Sequence, residues 1–110
     1  MNLNIKTLSP FEKDVKRLFK RYKQLPNDLR SLREELSANP KSGIELGHEC
    51  YKIRLANSSI PTGKSGGFRI IYYHIDSNNN LYLMSIYSKN ELENIDDKTI
   101  LNILREHSLI

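Results

Sequence analysis

The chain has 110 residues, 38% of them hydrophobic and none of them tryptophan, which suits one modest core and a single domain over 1–110. Its apolar runs fall far short of the roughly 20 residues a bilayer span needs. The N-terminal MNLNIKTLSPFEK meets a charge too early, and lacks the small-residue cleavage site, to read as a signal peptide. One cysteine, Cys50, excludes an internal disulfide and fits a reducing, cytoplasmic setting, with the residue itself expected as a small buried side chain.

Residues 2–8 alternate, with Leu3 and Ile5 on one face, and predict a short strand. SPFE follows: Ser9 as cap, Pro10 at the first helical position and Glu12 closing a capping box. Phe11, Val15, Leu18, Phe19 and Tyr22 then recur at helical spacing, with Lys13, Lys16, Arg17, Lys20, Arg21 and Lys23 between them as a basic outer face. Such a run is ordinarily a solvated surface. Leu25-Pro26 interrupts this helix, and a second one carries Leu29, Leu32 and Leu36 before Asn39-Pro40 ends it. So short a link predicts an antiparallel helix hairpin.

Residues 41–49 read as a glycine-containing connection. From 50 to 56, Tyr51, Ile53 and Leu55 alternate with Lys52 and Arg54, the pattern of a strand with one buried face. After a polar loop at 57–67, residues 68–75 are β-branched and aromatic on both faces and predict a central strand. A turn at 77–80 leads to a last strand over 81–88, and Asp96 or Asp97 caps a final helix on Ile100, Leu101, Ile103 and Leu104. The expected fold is α+β: an N-terminal strand and helix hairpin packed on a mainly antiparallel four-stranded sheet, with a short C-terminal helix.

Several familiar motifs are excluded. GKS at 63–65 lacks the earlier glycine of a phosphate-binding loop, since Ser58 stands there, and it runs into a strand instead of a helix. His48, His74 and His107 have no metal-ligand spacing, so no metal site is expected. No nucleophile elbow or Ser-His-Asp order is present.

Charge singles out residues 50–89. They hold Lys52, Arg54, Lys64, Arg69 and Lys89 against one acid, Asp76, while the remainder of the chain is balanced, so the formal net charge of +4 belongs to this segment. Pairing of the last three strands projects Lys52, Arg54 and Arg69 from one sheet face. Lys64 and Ser65 then lie on the adjacent loop, and Tyr87, Ser88 and Lys89 at the end of the last strand. Cations, a phenol and hydroxyls without carboxylates suit a phosphodiester and the charge that develops on its oxygens.

CYKIRL, a loop, GGFRIIYY, a turn and a strand ending SIYSKNE resemble the RelE/ParE superfamily of toxins from type II toxin–antitoxin systems. The resemblance runs along the whole chain in order and is most specific over 50–91. Its RelE branch implies ribosome-dependent cleavage of messenger RNA, with no cofactor or metal, and a cognate antitoxin encoded beside the toxin, whose acidic or apolar segment covers the basic face. In that arrangement the last helix, 97–107, is a docking or mobile element. Matched by position, Lys52, Arg54 and Arg69 correspond to the basic strand residues that act on the scissile phosphate, and Lys89 to the lysine near the end of the last strand. RelE follows that lysine with a catalytic arginine where this chain has Asn90, and it has a C-terminal tyrosine where this chain has none after Lys89; Tyr87 is the substitute.

The resemblance implies attack of the RNA's own 2′-hydroxyl on the adjacent phosphorus. Lys52 is then the candidate base, provided cations such as Arg54 lower its pKa. Arg69 and Lys64 hold the phosphate, and Tyr87 or Lys89 protonates the leaving oxygen, unless Tyr87 instead stacks on a base. The superfamily also implies two alternatives without nuclease chemistry: a ParE-like inhibitor that binds DNA gyrase, and a degenerate toxin that only binds its antitoxin or RNA.

Overall fold

A computed structural model of the protein describes residues 3–61, 66–75, 79–89, 91–92 and 94–110. Eight elements follow in order: β1 (Asn4–Thr7), α1 (Ser9–Phe19), α2 (Leu25–Ala38), β2 (Ile44–Gly47), β3 (Cys50–Leu55), β4 (Phe68–Ile75), β5 (Asn80–Ser88) and α3 (Asp97–Glu106). The strands form one mixed sheet in the order β1-β5-β4-β3-β2. β1 runs parallel to β5, from Asn4 opposite Asn80 to Thr7 opposite Leu83, and the other pairings are antiparallel. No helix among the described residues is long and apolar enough to cross a membrane.

β4 is buried along nearly its whole length because both faces of the sheet are covered. On one face, Ile53, Leu55, Phe68, Ile70, Tyr72, Leu83 and Ile86 meet Phe11 and Leu18 of α1 and Leu25, Leu32 and Leu36 of α2. On the other, Cys50, Ile71, Tyr73, Met84 and Tyr87 meet Ile100, Ile103 and Leu104 of α3. The helix hairpin and the terminal helix therefore hold the sheet between them. Only part of the second face is covered, and the remainder carries the charged side chains of β3 and β4.

The helix boundaries follow local chemistry. Leu8 still donates its backbone N–H to Leu83 O at 3.0 Å, so the chain remains paired to the sheet until α1 begins. Leu8 is consequently the N-cap, and Ser9 lies inside the first turn, not at the cap. The Thr7 hydroxyl, not that of Ser9, donates to the Glu12 carboxylate. Phe19 also departs from the expected apolar stripe: it is 42% exposed, with the Lys23 ammonium 4.9 Å from its ring centroid. Asp96 caps α3 by accepting from Thr99 N at 2.8 Å.

One strand is additional to the four expected. Residues 41–49 do not form a plain connection: β2 pairs with the start of β3, Ile44 opposite Lys52 and Gly47 opposite Cys50. The turn between them places Gly47, His48 and Glu49 at φ of 90°, 53° and 62°. The approach to β2 is fixed by Tyr72, whose hydroxyl donates to Pro40 O at 2.8 Å and accepts from Gly43 N at 3.1 Å. A Cβ at Gly43 would stand 2.9 Å from Lys52 O and 3.0 Å from that hydroxyl, which explains the glycine.

Candidate functional site

Strand register assembles the site. Arg54 on β3 is directly opposite Arg69 on β4, and Arg69 is directly opposite Tyr87 on β5. Directly opposed residues share a face, so Arg54, Arg69 and Tyr87 form one row across three strands. Lys52 joins it from two residues along β3, on the same side of the pleat. This is the face that α3 covers only in part.

The members differ in exposure. Arg54 is exposed and Lys52 half-buried, whereas Arg69 is 6% exposed and Tyr87 3%. Burial, and then the neighbouring Arg54 charge, lowers the pKa of the Arg69 guanidinium, against a smaller opposing effect of Tyr87. One guanidinium nitrogen donates to Phe68 O at 3.3 Å. Burial raises the pKa of the Tyr87 phenol, while Arg69 and the Ile95 backbone pull it back. That Ile95 contact is loose, for the hydroxyl has no partner of good hydrogen-bond geometry among the described residues. Tyr87 therefore holds its proton at neutral pH.

The segment leading into α3 crosses this face. Asn94 accepts from the Lys52 ammonium at 3.2 Å, and Ile95 packs within the cluster that includes Tyr87. Beside the row, Glu35, Ser42, Gly43, Ile44, Lys52, Ile53 and Arg54 line an open groove of about 400 Å³ along the edge of β3. Neither Lys52 nor Arg54 has a carboxylate within ion-pair distance among the described residues. Lys52 and Arg54 therefore keep their charge available at this face.

The remaining expected site residues separate. Lys89 is exposed just past the end of β5, its backbone N–H bonded to Gly67 O at 3.2 Å. Ser88 does not join the row. It is opposite Phe68, on the helix-hairpin side of the sheet, and is 3% exposed. Adjacent strand residues point to opposite faces, so Tyr87 and Ser88 cannot both serve the cationic face; the period-two pattern carried that information already. Lys64, Ser65 and Asn90 lie outside the described residues.

Cys50 is 1% exposed against Met84, with its Sγ 3.9 Å from the thioether, and burial pushes the thiol up to about 12. It is a packing residue. Four polar groups near the row went unforeseen: Asn94, Asp14, Arg17 and Glu91. Arg17 reaches both Asp14 and Glu91. No local sequence signal connects α1 with a residue beyond β5.

The sheet, the two-helix layer and the terminal helix define a RelE-like toxin fold. No protein-family model matches the chain. Among solved structures, the intact Escherichia coli RelBE toxin–antitoxin complex contains a chain superposing with a TM-score of 0.57 at 21% identity, covering 76% of this chain and 93% of that one. The isolated E. coli RelE toxin matches with a TM-score of 0.55 at 19% identity, over 94% of this chain and 97% of that one. A RelE variant bound to a peptide of the RelB antitoxin matches with a TM-score of 0.55 at 17% identity, over 93% of each chain.

Proposed function

We propose that the protein is the toxin of a toxin–antitoxin system and acts as a metal-independent messenger RNA endonuclease on the ribosome. The observation that carries this reading is the Arg54–Arg69–Tyr87 row, with Lys52 beside it, on a RelE-like fold. Two adjacent guanidinium groups on a rigid sheet are poor for folding and well suited to a phosphodiester, whose charge rises as the pentavalent transition state forms.

In this reading Arg54, Arg69 and Lys64 hold the scissile phosphate. Lys52, in the free-amine form that the step requires, takes the proton of the 2′-hydroxyl as its oxygen bonds to phosphorus. The bond from phosphorus to the 5′-oxygen breaks, leaving a 2′,3′-cyclic phosphate, and Tyr87 or Lys89 delivers a proton to the departing oxygen. The raised pKa of Tyr87 keeps it in the protonated form a general acid needs. The cognate partner is an antitoxin, as the antitoxin-bound RelE structures of the same fold suggest, and the charge of the cationic face makes it the surface for an acidic segment to cover.

The burial of the Tyr87 hydroxyl favours a second reading: a toxin that acts by binding alone, on DNA gyrase or on RNA. Induced expression separates the two. Messages cut within codons, with growth restored by Arg69→Ala, support the nuclease; arrested gyrase and intact messages support the binder and refute cleavage.

A further inference from the structure

β1 stops at Thr7, leaving the outer edge of β5 without a neighbouring strand beyond Leu83 among the described residues. Two of the edge N–H groups there are satisfied by carboxylates. Asp14 on α1 accepts from Ile86 N at 3.1 Å and also from the Ser85 hydroxyl at 3.1 Å. Glu91 accepts from Ser88 N at 3.1 Å. The Arg17 guanidinium joins them, one nitrogen on Asp14 at 3.3 Å and another on Glu91. The order along the edge is thus Ile86, Tyr87, Ser88, with the backbone clamped on each side of Tyr87.

We infer that the Asp14–Arg17–Glu91 bridge is a positioning device for Tyr87 and Lys89, standing in for the sheet strand that β1 does not supply. The inference rests on the nuclease reading for its catalytic half. Arginine suits the role because its planar fork presents two faces to two carboxylates, which a lysine ammonium does less well. Arg17 therefore differs from the other cations of the basic α1 face. Its pKa is raised, first by the hydrogen bond to Glu91, as a bridging guanidinium requires. The bridge itself is half exposed, so its worth lies in holding two backbone N–H groups in place more than in global stability.

The test compares Arg17→Gln, Glu91→Ala and their double variant with wild type, in ribosome-dependent cleavage of a defined message and in amide hydrogen exchange. Arg17→Gln is expected to lower kcat about tenfold at unchanged KM, and to speed exchange at Ile86 and Ser88 by a similar factor, the loss of roughly one charge-assisted hydrogen bond. The double variant is expected to be no worse than the more damaged single one, as for residues acting through one bridge. Lys20→Gln removes a charge from the same helix without touching the bridge and should leave kcat unchanged. Full kcat in Arg17→Gln, unaltered exchange at Ile86 and Ser88, or an equal loss in Lys20→Gln each overturns the inference. A wild type that cuts no message overturns the nuclease reading and the claim on rate with it, while exchange still decides whether the bridge holds the strand.

Discussion

Arg69 should weaken the fold it belongs to, and its replacement by methionine is expected to stabilise the protein while abolishing the activity proposed for the site. The guanidinium is 6% exposed and stands directly across the β3–β4 ladder from Arg54. Like charges directly opposed in an antiparallel pair cost roughly 0.2–1 kcal/mol. The lowered pKa of Arg69, caused first by burial and next by Arg54, shows that desolvation adds to this. Methionine retains the unbranched stem in contact with the sheet and forfeits the guanidinium's hydrogen bonds, among them that to Phe68 O at 3.3 Å, worth roughly 1.5 kcal/mol. Relief of the opposed charge does not by itself offset that loss, so the gain expected comes from the guanidinium burial that is removed and is at most about 1 kcal/mol, or ~5 °C in thermal midpoint for a domain of this size. Urea unfolding followed by circular dichroism measures it, with an unchanged m-value showing that the folded state is the same. A cycle with Arg54→Gln should be sub-additive, because either change removes the same repulsion. Raising the salt concentration should narrow the difference between wild type and variant. A loss of stability in Arg69→Met, or a strictly additive cycle, refutes the argument that the site stores unfavourable charge.

Three further outcomes follow from particular contacts. A Cβ at Gly67 would lie 2.2 Å from Leu55 O, so Gly67→Ala must push the loop off the end of β3 and should cost roughly 1–3 kcal/mol or more in urea unfolding. Glu49→Gly should raise stability by about 0.5–1 kcal/mol, since it relieves a left-handed φ of 62° at the β2–β3 turn, less the entropy glycine loses on folding; an unchanged midpoint counts against strain there. Cys50 is protonated in the folded protein up to about 12, whereas an unfolded thiol ionises near 9.0. A raised folded pKa means that stability is fully present below pH 9 and falls as pH rises from there toward 12. Native protein should accordingly resist alkylation at pH 8, and rapid modification without denaturant would contradict the burial.

The parts of the fold visible in sequence are those where one side-chain pattern meets one physical demand. Phe68 to Ile75 is apolar on both faces because both faces are covered, and Lys52 and Arg54 alternate with Tyr51, Ile53 and Leu55 because only one face of β3 is in the core. β2 escaped notice because Ile44, Glu45 and Gly47 are exposed and its turn uses His48 and Glu49 in place of the usual Asn-Gly. Phe19 misled because an aromatic on the helical stripe can also stay at the surface with an ammonium over its ring, as that of Lys23 is. Candidate site residues on one strand were readable from parity. Which residues face one another across strands was not, since the pairing of Arg54 with Arg69 depends on the length of the loop between them.

The polar edge of β5 connects these observations. A sheet edge left open ordinarily invites another strand, and natural proteins blunt it with charge or cover. Here the cover is made of carboxylates, Asp14 on Ile86 and Glu91 on Ser88, and carboxylates near the proposed phosphate-binding face would be a hazard, because they repel an anion. Arg17 reduces the conflict by pairing with both, which leaves the trio one net negative charge in place of two. The cationic row on one side of β5 can then coexist with two acids at its edge. On the positioning role inferred for Arg17, a residue of the first helix serves the electrostatics of the site as well as its geometry, and the contacts to Asp14 and Glu91 set it apart from the other cations of the basic α1 face.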